Sequence, residues 1–448
     1  MPIFKADHVV PVGDKPIQDG AVAFRGSEII GIGPSDEVIK NYPDEPVTEF
    51  GNSAITPGFV NCHAHLELTA FRGKLDNFDH DFCSWLLEIT RLRRESESEE
   101  SIQASALLGA CEAAASGVTS IGDIGRYGGA GLSAVTRTGL RGIIYQETEF
   151  SPSAATADRD FEILLAKVTA LRDRSTELVS IGISPHAAYT VSLPLFKKIA
   201  NYSIENKVPL SIHAAESLPE MELMRNGKGV FADMFFREGN WECPNLGTLE
   251  YFYKNGILNA RPLLAHGIHL TDKEIGFVAE SGSRIAHCPK SNAKFGHGTA
   301  RLVDFLKKGI DVGLGTDSMA SNNRCDLLEE ARFAGLLSRT VSGGTQFLSP
   351  AELFRLATLG GAEAMGIDSE TGSLEKGKQA DIIVIKLGSV GQQPVSDIYS
   401  TLVFSSGTHS VQHVFVGGSP VVEHGVLKNV DDSYNIGLDR QVDEIERR

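Results

Sequence analysis

Six residues that can bind a metal or move a proton follow short apolar segments with the composition of β-strands. They are His63, His65, His213, Glu216, His266 and Asp317. Three imidazoles and one carboxylate, delivered from separate strand ends, can hold a divalent metal and leave one position open for water. The remaining glutamate and histidine are then free to move protons. The whole set predicts a metal-dependent hydrolytic site, although the pair His63 and His65 or Glu216, taken alone, is better explained by a surface or structural role.

The spacing of the histidines favours a single metal ion. His63 and His65 lie two residues apart at the end of one predicted strand, so both imidazoles can face the same ion. Binuclear sites in barrels place a bridging lysine or glutamate on a middle strand, whereas the segment before His213 ends in Ser184-Pro185-His186. We therefore predict one divalent ion per subunit, with zinc favoured and with iron or manganese as alternatives.

The middle of the chain, about 57–365, alternates between strand-like and helix-like segments. Strand-like segments are 143–145, 179–183, 209–212, 262–265, 284–286 and 312–314, and helical periodicity marks 101–116, 161–171 and 193–204. This alternation implies parallel strands joined by crossover helices, and about eight repeats in roughly 300 residues predict a closed (β/α)8 TIM barrel. Active-site residues of that fold lie at the C-terminal ends of the strands, where the polar residues above are found.

The two ends of the chain, 1–56 and 366–448, differ from the middle. They contain short strand-like segments and turns, such as 21–24 followed by 29–32. We predict that both ends pair into one small β-sandwich domain that accompanies a barrel domain at 57–365.

The overall composition restricts the partners. The 448 residues carry a net charge of −16, which argues against nucleic acid or an anionic membrane as a partner. We find no uninterrupted apolar stretch near 18 residues that would predict a membrane span. Six scattered cysteines fit a reducing compartment, and the first residues lack a signal-peptide pattern, so a cytoplasmic location is expected. Phe235-Phe236 and neighbouring apolar residues predict a homodimer contact.

Several motifs resemble the amidohydrolase superfamily, in the branch that contains cytosine, guanine and S-adenosylhomocysteine deaminases and triazine chlorohydrolases. These motifs span 57–65, 184–190, 213–216, 266–267, 287–292, 315–318 and 372–381. The resemblance covers almost the whole chain, and it implies the barrel with its small β-domain.

The same resemblance implies a role for each motif residue. It implies four metal ligands, which are His63, His65, His213 and Asp317. It further implies that Glu216 moves a proton to a ring nitrogen of the substrate, that His266 and Asp317 activate the water, and that His186 contacts the substrate. His287 and Cys288 would shape the pocket without binding metal, and Ser291 or Asn292 is a candidate substrate contact.

The substrate is less well determined by the motifs. His65-Leu66-Glu67-Leu68 and 82–86, which includes Trp85, are similar to aminodeoxyfutalosine deaminases, enzymes of menaquinone synthesis. Adenosine and S-adenosylhomocysteine deaminases are close rivals that use arginines from strand-end loops, and Arg72 and Arg126 fit that pattern. Glu67 is predicted either to contact substrate or to pair with Arg72.

These observations predict a metal-dependent hydrolytic deaminase of a 6-aminopurine nucleoside or a related small-molecule heterocycle. One alternative is hydrolysis of another C–N or C–Cl bond on the same scaffold, as in guanine, cytosine or pterin deaminases and triazine chlorohydrolases. An alternative from another class is a non-catalytic barrel that serves as a scaffold, against which the intact ligand set argues.

Overall fold

The computed structural model describes residues 2–96, 98–236 and 242–430, which form a mixed α/β structure. The strands, in chain order, are β1 Ile3–Val9, β2 Ile17–Arg25, β3 Glu28–Pro34, β4 Val47–Glu49, β5 Ser53–Pro57, β6 Phe59–His65, β7 Val118–Gly125, β8 Arg141–Glu147, β9 Val179–Ser184, β10 Ser211–Ala214, β11 Leu263–His266, β12 Arg284–His287, β13 Val312–Leu314, β14 Asp317–Ser318, β15 Ile382–Lys386, β16 Val411–Val416, β17 Ser419–Glu423 and β18 Val426–Leu427.

The helices alternate with the strands through the middle of the chain. In chain order they are α1 Ser35–Asn41, α2 Phe82–Ser96, α3 Glu99–Ala115, α4 Gly128–Thr138, α5 Ala157–Arg172, α6 Leu193–Asn206, α7 Leu218–Asn226, α8 Val230–Phe235, α9 Thr248–Lys254, α10 Asp272–Ser281, α11 Pro289–Lys294, α12 Leu302–Lys307, α13 Met319–Asn322, α14 Leu327–Val341, α15 Pro350–Leu356, α16 Leu359–Met365 and α17 Ile398–Ser400. None of these helices has the length and apolar character needed to span a bilayer.

Parallel strands form two sheets that carry the polar strand ends. One sheet has the order β14-β6-β7-β8-β9 and the other has the order β10-β11-β12-β13. A parallel bridge between Ile183 and Leu210 connects β9 to β10. At the other end, β13 and β14 follow each other closely in the chain, and Asp317 pairs with Ala64 of β6. This arrangement of parallel strands is consistent with a barrel.

Burial explains why these segments form strands and helices. All residues of β7 and β8 are buried, as expected for parallel strands that are covered on both faces. The three helical segments predicted from periodicity correspond to α3, α5 and α6. At the start of α3, the Ser98 side chain accepts a hydrogen bond from the Ser101 amide and so satisfies a donor at the helix N-terminus.

The two ends of the chain meet in a single nine-stranded sheet. Its main order is β18-β17-β16-β15-β5-β1-β2-β3, with β4 paired to β1. The antiparallel pairing of β5 with β15 joins the N-terminal strands to the C-terminal ones. Because β6 begins two residues after β5 ends, this sheet continues directly into the first parallel strand.

A buried ion pair connects the nine-stranded sheet to β8. The guanidinium of Arg141 donates from Nε to Asp381 Oδ2 at 2.8 Å and from its terminal nitrogen to Asp381 Oδ1 at 3.3 Å. Asp381 precedes β15, and its Oδ1 also accepts from the Gly417 amide at 2.7 Å. Asp381 is 1% exposed, so these donors take the place of water around its carboxylate.

Candidate active site

A cavity of about 370 Å³ lies at the C-terminal ends of the parallel strands. Its polar lining includes His65, His186, His213, Glu216, His266 and Asp317. Its apolar lining includes Leu68, Phe82, Trp85, Leu86, Ile89, Tyr189, Met234, Phe235 and Phe295. A deep pocket with mostly apolar walls and a few converging polar groups is typical of a small-molecule site.

The residues predicted to bind metal converge in this cavity. Nε2 of His63 and Nε2 of His65 each lie 3.5 Å from Asp317 Oδ1. His213 Nε2 lies 3.3 Å from His65 Nε2. His63, His65 and Asp317 each offer a ligand atom within 4.8 Å of the others, and so do His63, His213 and His266.

The hydrogen bonds of two histidines leave their Nε2 atoms as acceptors. His65 Nδ1 donates to the Ile124 carbonyl at 3.0 Å, and His213 Nδ1 donates to the His186 carbonyl at 3.2 Å. Each neutral ring therefore presents an Nε2 lone pair, and the two lone pairs face each other at 3.3 Å. Two acceptors at this distance repel each other unless a cation lies between them. The donor set therefore fits a divalent metal.

His63 supports the same conclusion. Its ring is fully buried, and within the described residues neither of its nitrogens has a hydrogen-bond partner. Buried polar atoms are nearly always satisfied, so an unpartnered imidazole among other ligand atoms fits a metal-binding role.

The protonation states also suit metal binding. Burial and the neighbouring imidazoles lower the pKa of His213 well below its usual range, so the ring is neutral. Burial alone would raise the pKa of Asp317, but His63, His266 and His65 hold it well below its usual range. A neutral imidazole and an ionised carboxylate are the forms that bind a metal.

Unusual backbone conformations place these side chains. His266 and Asp317 have φ values of 72° and 58°, in the left-handed region that residues other than glycine seldom adopt. Such conformations cost on the order of 1–3 kcal/mol each and persist where the surrounding structure enforces them. Gly315 allows the last strand to pass close to the first, because a Cβ at this position would lie 2.8 Å from His63 Cβ.

Two serines hold the carboxylate of Asp317. Its Oδ2 accepts from Ser291 Oγ at 2.5 Å and from Ser321 Oγ at 2.9 Å, which leaves Oδ1 facing the histidines. Asn292 contributes differently, since its Oδ1 accepts from His266 Nδ1 at 2.9 Å. Ser291 and Asn292, predicted as candidate substrate contacts, thus contact Asp317 and His266 in the structure.

Glu216 lies beside His266 at the cavity wall. Their Oε1 and Nε2 atoms are 3.7 Å apart. Burial raises the pKa of Glu216 to about 7, with Asp317 and Glu220 adding to the effect and His266 opposing it. A carboxyl group that titrates near neutral pH can both accept and donate a proton, as acid–base catalysis requires.

His186 and Glu147 form a second polar group in the cavity. His186 Nδ1 contacts Thr190 Oγ1 at 2.9 Å, and burial lowers the pKa of its ring to about 4. Glu147, His186 and His213 offer ligand atoms within 4.8 Å of one another. His213 has only Nε2 free to bind a metal, because its Nδ1 donates to the His186 carbonyl. It therefore cannot be a ligand in this group and in the group with His63 at the same time.

Glu147 was missed by the sequence analysis, although the signal was present. It ends β8, an apolar strand, as the predicted ligands do, but the strand segment was taken to end two residues earlier. Its Oε2 lies 3.4 Å from Arg126 Nε. Burial alone would raise the pKa of Glu147, but His186 and Arg126 lower it below its usual value.

The residues predicted to contact substrate separate into two groups. His186, Trp85 and Arg126 line the cavity, whereas the described part of its lining does not include Glu67 or Arg72. The predicted pairing of Glu67 with Arg72 is wrong, because Arg72 pairs with Glu112 and Glu67 pairs with Arg93.

Glu67 instead joins two elements at the cavity. It accepts hydrogen bonds from the backbone amides of Arg126 and Tyr127 as well as from Arg93, which lines the cavity. Glu67 therefore fixes α2 against the end of β7. Its partners are distant in the sequence, so neither residue spacing nor local pattern predicts them.

Comparison with known proteins identifies the family. Residues 54–421 match the Amidohydrolase family, so the chain belongs to this family. A 5-methylthioadenosine/S-adenosylhomocysteine deaminase from Thermodesulfovibrio yellowstonii is 32% identical over 424 residues, which cover 94% of this chain and 92% of that protein.

Solved structures have the same fold. A zinc-bound adenosine deaminase from Xanthomonas campestris is 26% identical, with a TM-score of 0.87 and coverage of 100% of this chain and 99% of that one. The aminofutalosine deaminase of Helicobacter pylori, in complex with methylthio-coformycin, shares the fold at 23% identity, with a TM-score of 0.78 and coverage of 94% and 100%. The predicted family is confirmed, and so is the predicted class of enzyme, a hydrolase that acts on carbon–nitrogen bonds in cyclic amidines.

Proposed function

We propose that the protein is a zinc-dependent deaminase that removes the 6-amino group of an adenosine derivative and releases ammonia. The observation that carries the proposal is the placement of Glu216 and His266 beside a cluster of metal-ligand atoms in one cavity. Full-length relatives named as deaminases of 5-methylthioadenosine and S-adenosylhomocysteine support this substrate class.

One zinc ion would be held by His63, His65, His213 and Asp317. The facing Nε2 atoms of His65 and His213 and the unpartnered ring of His63 support this set. A zinc ion in such a site supplies Lewis acidity and lowers the pKa of a water molecule to about 7.

The protein side chains then move the protons. His266, assisted by Asp317, accepts one proton of the water as the water oxygen attacks the ring carbon that bears the amine. Glu216 donates a proton to the adjacent ring nitrogen, and a tetrahedral carbon forms. The proton taken from the water then passes to the amine, the remaining hydroxyl proton returns to Glu216, and the C–N bond breaks to release ammonia. His186, Trp85 and Arg126 line the same cavity, which supports a role for them in binding the substrate.

Two finer features of the architecture belong to this proposal. The pairing of Asp317 with Ala64 and the bridge from Ile183 to Leu210 support a closed (β/α)8 barrel at 57–365. The strands outside this range support a small β-domain at 1–56 and 366–448, of which 431–448 lie outside the described residues, and a sandwich is its predicted form.

A homodimer is also part of the proposal. Phe235 is partly buried, and its ring lies 5.7 Å from the ring of Phe150, which is 48% exposed. Partly exposed apolar side chains that line a cavity together suit contact with a second subunit. Sedimentation velocity of the wild type beside Phe150→Ser tests this assignment.

An ammonia-release screen of the zinc-loaded protein tests the reaction and its substrate. The panel holds adenosine, 5-methylthioadenosine, S-adenosylhomocysteine, aminodeoxyfutalosine, guanine, cytosine and a pterin, with chloride release from a triazine measured in parallel. We expect turnover of adenosine derivatives that exceeds turnover of the other compounds.

Each other outcome selects a different function. Turnover of aminodeoxyfutalosine alone would place the enzyme in menaquinone synthesis, and chloride release alone would overturn the deaminase assignment. A protein that binds no zinc and turns over nothing would instead support the non-catalytic scaffold.

A further inference from the structure

Two imidazoles, not one, face the same oxygen of Glu216. His266 Nε2 lies 3.7 Å from Glu216 Oε1, and His297 Nε2 lies 3.8 Å from that oxygen on another side. His266 has a place in the reaction proposed above, but His297 does not. His297 follows α11 in a Gly-His-Gly segment. It does not follow an apolar strand-like segment, which is the pattern that identified the other site residues.

His297 is buried with an unused polar atom. The residue is 7% exposed, and among the described residues its Nε2 has no hydrogen-bond partner. A movement of less than about 1 Å would bring this nitrogen within hydrogen-bond distance of Glu216, and such contacts are commonly longer before substrate binds. Glu216 is therefore the partner that the geometry offers to His297.

The surroundings hold the ring of His297 in this position. The ring of Phe82 contacts it edge-on at 4.5 Å, and the ring of Phe295 lies 5.2 Å away. Its backbone amide donates to the Asn292 carbonyl at 3.0 Å, and the side chain of Asn292 accepts from His266. The two imidazoles that face Glu216 are thus connected through one residue.

His297 is placed to act on Glu216 and not on the substrate. The described cavity lining includes Phe82, Glu216 and Phe295 but not His297. Burial lowers the pKa of His297 to about 3, so the ring is neutral at physiological pH. A neutral imidazole with its proton on Nε2 can donate to a carboxylate oxygen and also to the carbonyl oxygen of a protonated carboxyl group.

We propose that His297 is a positioning residue that holds Oε1 of Glu216 and so turns Oε2 toward the substrate. This inference rests on the proposed role of Glu216 as the proton carrier. Glu216 must alternate between its protonated and ionised forms during turnover. Because the exchanged proton is carried on Oε2, Oε1 remains an acceptor, and the Nε2–H of one neutral imidazole can hold it in both forms. Loss of the contact then leaves the carboxyl group free to rotate away from the ring nitrogen.

Steady-state kinetics of the zinc-loaded enzyme test the proposal with three variants. His297→Phe keeps an aromatic ring between Phe82 and Phe295 but removes the polar nitrogen, and we expect kcat to fall about tenfold with little change in KM. His297→Gln places an amide near the position of Nε2, and we expect it to recover most of that loss. His409→Phe is the matched control at an exposed position, and we expect wild-type kinetics.

A double-mutant cycle shows whether the effect passes through Glu216. In a Glu216→Gln background, His297→Phe should cause no further loss of kcat, because the group that it positions is already gone. An equal loss in both backgrounds, a change in KM alone, or a failure of His297→Gln to recover activity would overturn the proposal. Zinc content and thermal stability of each variant identify loss of folding.

An infrared measurement separates this inference from the proposed function. The carboxyl stretching band of Glu216, assigned by its loss in Glu216→Gln, should shift in His297→Phe and not in His409→Phe. If the band shifts but the protein deaminates no compound, the contact between His297 and Glu216 is supported and the proposed function is wrong. If ammonia is released but the band does not shift, the proposed function is supported and the contact is wrong.

Discussion

Two buried polar clusters of this protein differ in how completely their groups are paired. In the cluster at the sheet junction, Asp381 accepts from both arms of Arg141 and from a backbone amide. In the cluster at the strand ends, the nitrogens of His63 have no hydrogen-bond partner among the described residues, with Asp317 Oδ1 3.5 Å from its Nε2, and His65 and His213 direct lone pairs at each other. Both clusters are buried, so burial alone does not distinguish them.

The difference separates structural from functional polar groups. A buried charge that is paired within the protein helps to fix the arrangement of the elements around it. Its hydrogen-bonding and charge requirements are met without a ligand. An unpaired cluster costs free energy in the absence of a ligand, and it persists where a ligand satisfies it. The strand-end cluster is therefore expected to govern activity, and the junction cluster is expected to govern stability.

The largest expected effect is on turnover. Glu216→Gln preserves the shape of the side chain but removes the proton, so kcat should fall by about 10²–10⁴-fold while zinc content stays constant. Ammonia release and metal analysis of the same sample measure the two quantities. Glu222→Gln, an exposed change on α7, is the control. Near-normal turnover of Glu216→Gln would show that another group carries the proton.

The next effect concerns stability at the junction. Asp381→Asn leaves Arg141 buried without its main counter-charge, and we expect the free energy of unfolding to fall by about 3–5 kcal/mol. Glu370→Gln is a matched control, because Glu370 also contacts Arg141, at 3.2 Å, but its side chain is 55% exposed. Its loss should cost about 0–1 kcal/mol. Chemical denaturation checks both values, and equal costs would contradict the distinction between the clusters.

A smaller effect is expected on metal affinity. Ser291→Ala removes the 2.5 Å hydrogen bond to Asp317 Oδ2 and should weaken zinc binding by about 10–100-fold, as changes next to metal ligands commonly do. Competition with a chelator measures the affinity. Ser203→Ala, which removes a buried hydroxyl that donates to the Val208 carbonyl, should leave it unchanged. An unaltered affinity in Ser291→Ala would mean that the serine does not orient the carboxylate.

Much of the site could be predicted because its residues share one local signal. The four histidines His63, His65, His213 and His266 lie in the last three residues of their strands, Asp317 lies three residues after β13, and the C-terminal ends of parallel strands meet. Alternation of strand-like and helix-like segments was sufficient to predict the parallel sheets and the mixed α/β class.

The remaining contacts could not be predicted from local sequence patterns. Glu67 and Arg93 are separated by 26 positions, and Arg141 and Asp381 by 240, so only the folded chain reveals that they pair. His297 lies in a loop, where no periodicity indicates the direction of a side chain. Long-range partners of this kind depend on tertiary packing, and no single segment specifies them.

The smallest expected effect is a pH dependence of Glu216, which lies beside the strand-end cluster. The pKa of Glu216 is raised to about 7, so the carboxyl group holds its proton below that pH and loses it above. Because the proposed reaction needs this proton, kcat/KM should fall about tenfold per pH unit on the alkaline side. A zinc ion nearby adds positive charge and lowers the pKa, so the decline should begin at or below about pH 7. The decline should be absent from the residual activity of Glu216→Gln. If that variant kept it, the titrating group would be another residue, with His266 the first to examine because its imidazole faces the same cavity.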